Sequence, residues 1–199
     1  MVTTSDRRLY ERLLLFRNHG ITRQPSRWSR QEGPWYYEMQ ELGFNYRLTD
    51  IQCALGLSQL GKIEQFLHRR EELARRYDAA LEGWSEVSRP DWPTEGRAAW
   101  HLYVIRLRKA FARRRREVFN AMREAGIGVN VHYIPVYLHP FYLRMDPARY
   151  YPGLCPKAEA YYEEAMTLPL FPSMTDGDVD DVVDALHAAL EGRKMTALP

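Results

Sequence analysis

Gly43-Phe44-Asn45-Tyr46-Arg47-Leu48-Thr49-Asp50-Ile51-Gln52-Cys53-Ala54-Leu55-Gly56 joins an aromatic loop to the start of a helix. Thr49 followed three residues later by Gln52 is a capping box, in which each side chain satisfies a backbone N–H of the first turn. An apolar stripe at Leu60, Ile63, Leu67, Ala74, Tyr77 and Leu81 continues at helical spacing, and Gly83 ends it. The pattern predicts one helix from Thr49 to Glu82, roughly 50 Å long at 1.5 Å per residue. A helix of that length bridges two domains or lies along a subunit interface. Its first part (Cys53, Ala54, Leu55, Gly56, Leu57) is small and apolar nearly all round and should be buried. Its second part (Arg69, Arg70, Glu71, Glu72, Arg75, Arg76) is amphipathic and should face water. Gly56 and Gly61 weaken the helix locally, and close packing against another element would account for them.

On the N-terminal side, residues 22–47 read as a loop rich in aromatics, glycine and proline, and the aromatics argue against disorder. Before it, Met1-Val2-Thr3-Thr4 reads as the end of a strand. Ser5 reads as an N-cap with Asp6 in the first turn, and Leu9, Leu13 and Phe16 as the apolar face of a helix that stops at Gly20. A chain that opens inside a strand–helix unit reads as a fragment. On the C-terminal side the expectation is a strand at 100–107, a helix at 111–125 and a strand from Ile127 to Tyr133. In that second strand Ile127, Val129, Val131 and Tyr133 face one way and Gly128, Asn130 and His132 the other. A loop at 134–151, a helix at 156–166 and an extended Leu168–Pro172 follow. Thr175 with Asp178 caps a last helix carrying Val179, Val182, Val183, Leu186 and Leu190, and the tail from Gly192 reads as loose.

Bulk properties exclude several classes. The chain has 199 residues, 45% hydrophobic and 27% charged, which is ordinary for a soluble globular protein. A net charge of +2 carries no argument for nucleic acid or a membrane surface. No apolar run approaches a membrane span. The two cysteines, Cys53 and Cys155, make neither a disulfide framework nor a CxxC pair, so a reducing cytoplasm fits. The histidines lack metal-ligand spacing, so no metal site is expected. Arg113-Arg114-Arg115-Arg116 is a candidate basic patch, but no stacking aromatics alternate with it and Glu117 follows; it reads as the solvated start of a helix.

Four ordered segments carry a family resemblance. They are Phe16-Arg17-Asn18-His19-Gly20-Ile21, the stretch from Gly43 to Gly56, Val131-His132-Tyr133-Ile134-Pro135-Val136-Tyr137, and Leu168-Pro169-Leu170-Phe171-Pro172. Together they resemble the DegT/DnrJ/EryC1/StrS aminotransferases, and Trp35-Tyr36-Tyr37-Glu38 points to the members of the pseudaminic acid pathway. The resemblance implies an α/β chain, the C-terminal part of a fold-type-I transferase dependent on pyridoxal 5'-phosphate. Residues 1–47 would be the remnant of the large cofactor-binding domain and its active-site loop. Residues 48–199 would be the linking helix and a small α+β domain with a mixed or antiparallel sheet. The family's Schiff-base lysine would lie a few residues upstream of Met1. None of Lys62, Lys109, Lys157 and Lys194 matches it, so no catalytic residue is assigned within this chain.

The implied roles that remain are binding. Asn45 resembles the asparagine that reaches the cofactor phosphate of the neighbouring subunit, and an amide donor suits a phosphate oxygen. Without the motif it would read as a turn residue. Arg47 can pair with a phosphate or carboxylate bidentately, or make an ordinary salt bridge. His132, Tyr133, Ile134 and Pro135 match the turn that contacts the sugar nucleotide. A lone histidine is more often structural, and its place at a strand end beside aromatics is what raises it. Tyr137, His139 and His19 are weaker candidates.

The expected activity is amino transfer, typically from glutamate, to a UDP-linked 4-keto-6-deoxy sugar by a cytoplasmic homodimer, with no nucleic acid or membrane partner. The alternative is an inactive remnant that binds a sugar nucleotide or a partner chain; a basic nucleic-acid binder ranks below both. At this length the chain should not transaminate alone. Its Cys53–Leu57 surface, if exposed, should drive it to a partner or to aggregation.

Overall fold

The computed structural model describes residues 2–30, 32–108 and 110–193, and it separates into two compact units, Met1–Gly61 and Lys62–Pro199. The fold class is α/β, helices with small antiparallel sheets.

In the first unit α1 spans Arg7–Phe16 and is capped by Asp6, one residue later than the sequence suggests. The Asp6 carboxylate accepts from the N–H groups of Arg8 and Leu9 at 2.8 and 3.2 Å, which places the cap there. Val2–Thr4 form no strand; Met1 lies outside the described residues. The helix ends at Phe16 with Arg17 as its C-cap, short of the Gly20 stop expected from sequence, and His19 and Gly20 then adopt positive φ (57° and 69°). The chain then enters β1 (Ile21–Thr22), which pairs antiparallel with β2 (Glu38–Met39).

The loop between these strands has its own framework. The Glu38 carboxylate accepts from the backbone N–H of Ser29, the Ser29 and Tyr36 hydroxyls and the Gln40 amide, at 2.7–2.9 Å. Trp28 packs edge-on against Tyr36. Helix α2 (Asp50–Leu60) carries the expected capping box of Thr49 and Gln52. None of its residues is buried, contrary to the expectation for Cys53–Leu57.

The single long helix is not continuous. α2 ends at Gly61, and α3 (Ile63–Ala80) starts from Lys62 as its N-cap. Glycine costs a helix interior about 1 kcal/mol relative to alanine, and the interruption falls on one.

The second unit is built on a three-stranded antiparallel sheet in the order β3 (Val87–Ser88), β4 (Tyr103–Leu107), β5 (Ala165–Leu168). The other elements are α4 (Ala110–Arg113), α5 (Arg115–Glu124), α6 (Pro140–Met145), α7 (Pro156–Glu164) and α8 (Asp176–Glu191). Alternation in β4 turns Tyr103, Ile105 and Leu107 inward. Register pairs Tyr103 with Leu168 and Ile105 with Met166, so β5 adds to the same face. Leu73 and Tyr77 of α3, Val118 and Met122 of α5, and Val179, Val182 and Leu186 of α8 close over it. Each such side chain contributes about 1.5–3 kcal/mol by leaving water. Thr175 and Asp178 cap α8 as the sequence predicts, and Gly192 ends it at φ 75°. The tail beyond Arg193 lies outside the described residues.

Three expectations change here. The 111–125 helix is split at Arg114 into α4 and α5. The 156–166 helix stops at Glu164, because Ala165–Leu168 are taken up as the partner of β4. The 127–133 strand reduces to one antiparallel bridge, Asn130 to Thr167. Burial alternates as expected from Ile127 through Asn130, then fails: Tyr133 is 70% exposed.

Candidate functional site

In the first unit the segment 43–47 is threaded against the end of α1. The Phe44 N–H donates to Phe16 O, the His19 N–H to Phe44 O, and the Tyr46 N–H to Arg17 O, at 2.6–2.9 Å. Asn18 and Asn45 form an antiparallel bridge. The approach is too close for side chains: a Cβ on Gly20 would sit 1.7 Å from Glu41 O, and one on Gly43 2.2 Å from Gly20 N. The two glycines therefore let two separate sequence motifs become one surface.

That surface carries Asn45 and Arg47. Arg47 Nε donates to Asn45 Oδ1 at 2.9 Å, and Arg47 Nη1 to Asn18 Oδ1 at 3.1 Å. Because the Asn45 oxygen accepts, its NH2 group is left to donate elsewhere. No carboxylate pairs with Arg47 among the described residues. Asn18 was not singled out from sequence; its place in the segment Phe16–Ile21 was the available signal. Phe44 and Tyr46 stack at 4.8 Å beside the cluster. His19 sits in the turn after α1, at positive φ.

In the second unit His132 Nδ1 lies 2.8 Å from Thr167 Oγ1 on β5, and Nε2 lies 3.4 Å from Asn130 Nδ2. The Tyr133 ring meets the imidazole edge-on at 4.5 Å, across a cis peptide. Ile134 and Pro135 are half-buried and lead into a 3-10 turn at Val136–Leu138. Tyr137 serves structure: its hydroxyl donates to Glu159 Oε1 at 2.6 Å and accepts from the Cys155 N–H at 3.2 Å. Desolvation, with the Glu159 carboxylate next, pushes the phenol up to about 12. His139 is exposed at the start of α6. Neither Asn130 nor Thr167 was named from sequence as a site residue.

Lys62 and Lys157 are exposed and bond to none of these residues; Lys109 and Lys194 lie outside the described residues. No cluster able to hold a metal ion occurs among the described residues. No described helix is long and apolar enough to cross a membrane. In the arginine run, Arg114 pairs with Glu117, and Arg115 bonds to Tyr162 O and packs on the Tyr162 ring.

The model of the DegT/DnrJ/EryC1/StrS aminotransferase family matches residues 1–187. The chain belongs to that family. It is 38% identical over 196 residues to the spore coat polysaccharide biosynthesis protein SpsC of Bacillus subtilis, covering 96% of this chain and 49% of SpsC. It is 34% identical over 193 residues to the UDP-4-amino-4,6-dideoxy-N-acetyl-beta-L-altrosamine transaminase of Campylobacter jejuni, covering 96% and 47%. Among solved structures, the putative sugar aminotransferase Spr1654 of Streptococcus pneumoniae superposes with a TM-score of 0.80 at 30% identity, covering 95% of this chain and 46% of its own. The chain thus spans about half the length of these relatives.

DegT-family aminotransferases depend on pyridoxal phosphate, and Spr1654 is known in both its PLP and PMP forms. Against that cofactor, the donors on the Asn18–Asn45–Arg47 surface suit a phosphate oxygen. No described lysine belongs to that surface or to the His132 turn.

Proposed function

We propose that this chain is the C-terminal part of a DegT-family aminotransferase that converts a UDP-linked 4-keto-6-deoxy sugar to its 4-amino form, with glutamate as donor. The single observation that carries the reading is Arg47 bridging Asn18 and Asn45. It leaves the Asn45 NH2 group available to donate and, among the described residues, gives the guanidinium no carboxylate, a donor set that suits a phosphate. In this reading Asn45 and Arg47 hold the cofactor phosphate of a neighbouring subunit in a homodimer. The turn His132-Tyr133-Ile134-Pro135 contacts the sugar nucleotide. Residues 1–47 belong to the large domain, and 48–199 to the linking helix and small domain. The lysine that binds the cofactor is supplied upstream.

When bound, pyridoxal phosphate supplies the electron sink that lets an amino group pass from an amino acid to a keto carbon. This chain's residues bind and orient. The neutral amide and the cation share one phosphate, and the exposed Tyr133 ring offers a face for a flat or sugar-like ligand.

The test is to incubate the protein purified from its native source with pyridoxal phosphate, glutamate and a UDP-4-keto-6-deoxy-N-acetylhexosamine. The intact mass is measured in parallel. Amino sugar and 2-oxoglutarate should appear together, from a protein heavier than 23.5 kDa. A 23.5 kDa protein that binds the sugar nucleotide and forms neither product would replace this reading with that of a binding module.

A further inference from the structure

Thr167 is one of two buried polar side chains among the described residues, at 5% exposure. A buried hydroxyl needs a partner, and the partner is His132 Nδ1 at 2.8 Å. The geometry around the ring also decides where its proton sits. Thr167 and Asn130 exchange backbone hydrogen bonds, Thr167 N to Asn130 O at 2.7 Å and Asn130 N to Thr167 O at 3.2 Å. These hold Asn130 beside the imidazole. The Asn130 amide is oriented by the Val131 N–H, which can only donate, and donates to Asn130 Oδ1 at 2.8 Å. The amide NH2 is therefore the end that faces His132 Nε2. Two donors do not pair, so Nε2 carries the lone pair. The ring proton is on Nδ1 and is given to Thr167 Oγ1. The Asn130 contact is long, at 3.4 Å, so that lone pair is left largely free.

We propose that Thr167 and Asn130 are positioning residues that lock His132 in its Nδ1–H tautomer, so that Nε2 accepts a hydrogen bond from a ribose hydroxyl or the uracil imide N–H of the bound nucleotide sugar. The inference rests on the sugar-nucleotide reading of the His132 turn and adds the polarity of the contact. A free imidazole favours the opposite tautomer, so the protein must supply the preference. Neither Thr167 nor Asn130 need touch the ligand. A site built this way rejects an analogue whose donor has been methylated, because the acceptor is then left unpaired.

The experiment is nitrogen NMR of the full chain labelled at histidine, at a pH well above the ordinary histidine range, with His132 assigned through His132→Gln. Wild type should show Nδ1 protonated and Nε2 bare. Thr167→Val, which keeps the branched shape, should move the ring toward Nε2–H, and Thr167→Ser should restore it. Asn130→Ala, at an exposed side chain, should move it the same way and provides the answer if the buried variant does not fold. An Nε2–H ring in wild type would overturn the proposal, and so would a tautomer indifferent to both variants.

Titration with uridine diphosphate reads the ligand side. Thr167→Val should weaken binding about 3- to 10-fold and Thr167→Ser should not, the range expected for one neutral hydrogen bond. A shifted tautomer with unchanged affinity would overturn the ligand contact alone. Absence of any uridine diphosphate binding by wild type would overturn the nucleotide reading of the turn, with the tautomer result independent of it.

Discussion

Arg47 donates its Nε–H to Asn45 Oδ1 at 2.9 Å, so the cation and the amide act as a single donor surface. Removing either should weaken a phosphate by different amounts. Arg47→Leu should raise the dissociation constant for pyridoxal phosphate in the assembled enzyme about 10- to 100-fold, as for a charge-assisted bond. Asn45→Ala should raise it about 3- to 10-fold, as for a neutral one. Absorbance titration with the cofactor checks both, and equal effects would count against the shared-surface geometry.

Gly20 controls the same surface from a distance. Its φ of 69° and the 1.7 Å approach of Glu41 O leave no room for a methyl group. Gly20→Ala should destabilise the first unit by more than about 1 kcal/mol, because the conformation itself disfavours a side chain. It should also lower cofactor affinity, since the 41–47 segment must move. Urea denaturation and the same cofactor titration read the two effects.

Glu38 links this unit to pH. Hydrogen bonds, first among them from the Ser29 backbone, hold its carboxyl at about 2 rather than 4.5. A depressed folded-state value means that the carboxylate favours the folded loop above pH 4.5, and that this contribution is lost as pH falls toward 2. Trp28 fluorescence should report loosening of the loop across that window. Glu38→Gln should show the loosened signal already at neutral pH and little change between 4.5 and 2.

Asp78 holds the aromatic side of the core, accepting from the Tyr103 hydroxyl at 2.6 Å and from the Trp92 indole N–H. Asp78→Ala leaves the buried Tyr103 hydroxyl without its acceptor and should cost about 1–3 kcal/mol in urea denaturation. Tyr103→Phe removes only the donor, leaves Asp78 its Trp92 partner, and should cost only about 1 kcal/mol.

Thr175 makes the N-terminal cap of α8, accepting from the Asp178 N–H at 3.1 Å while Asp178 accepts from the Thr175 N–H at 2.7 Å. Thr175→Ala should lower the stability of the second unit by about 1 kcal/mol. Thr175→Ser should leave it nearly unchanged, and thermal unfolding distinguishes the two.

What the sequence made legible was mostly local. Thr49 with Gln52 and Thr175 with Asp178 act over three residues, so both caps could be read directly. The 111–125 helix was foreseen, but not its break at Arg114. Ala165 and Met166 were read as the end of a helix because the strand character of Ala165–Leu168 comes from pairing with β4, some sixty residues earlier in the chain. The Ile127–Asn130 alternation was real, yet periodicity reports which side chains are buried and not whether a ladder forms. The candidate residues Asn45, Arg47 and His132 were named in advance. Their partners were not: Asn18 lies 29 residues from Arg47, and Thr167 lies 35 from His132. No local pattern carries contacts of that range.

Helix α2 displays Ile51 at 82% exposure and Leu57 at 71%, and buries none of its own residues. An eleven-residue helix that buries none of its residues is marginal in water. Its amides should therefore exchange with solvent faster than those of α3 or α8. Burial of Ile51 and Leu57 against another surface would slow that exchange. Were a partner surface to cover α2, its folding and that association would be one equilibrium, and dilution would melt α2 while the second unit stays intact.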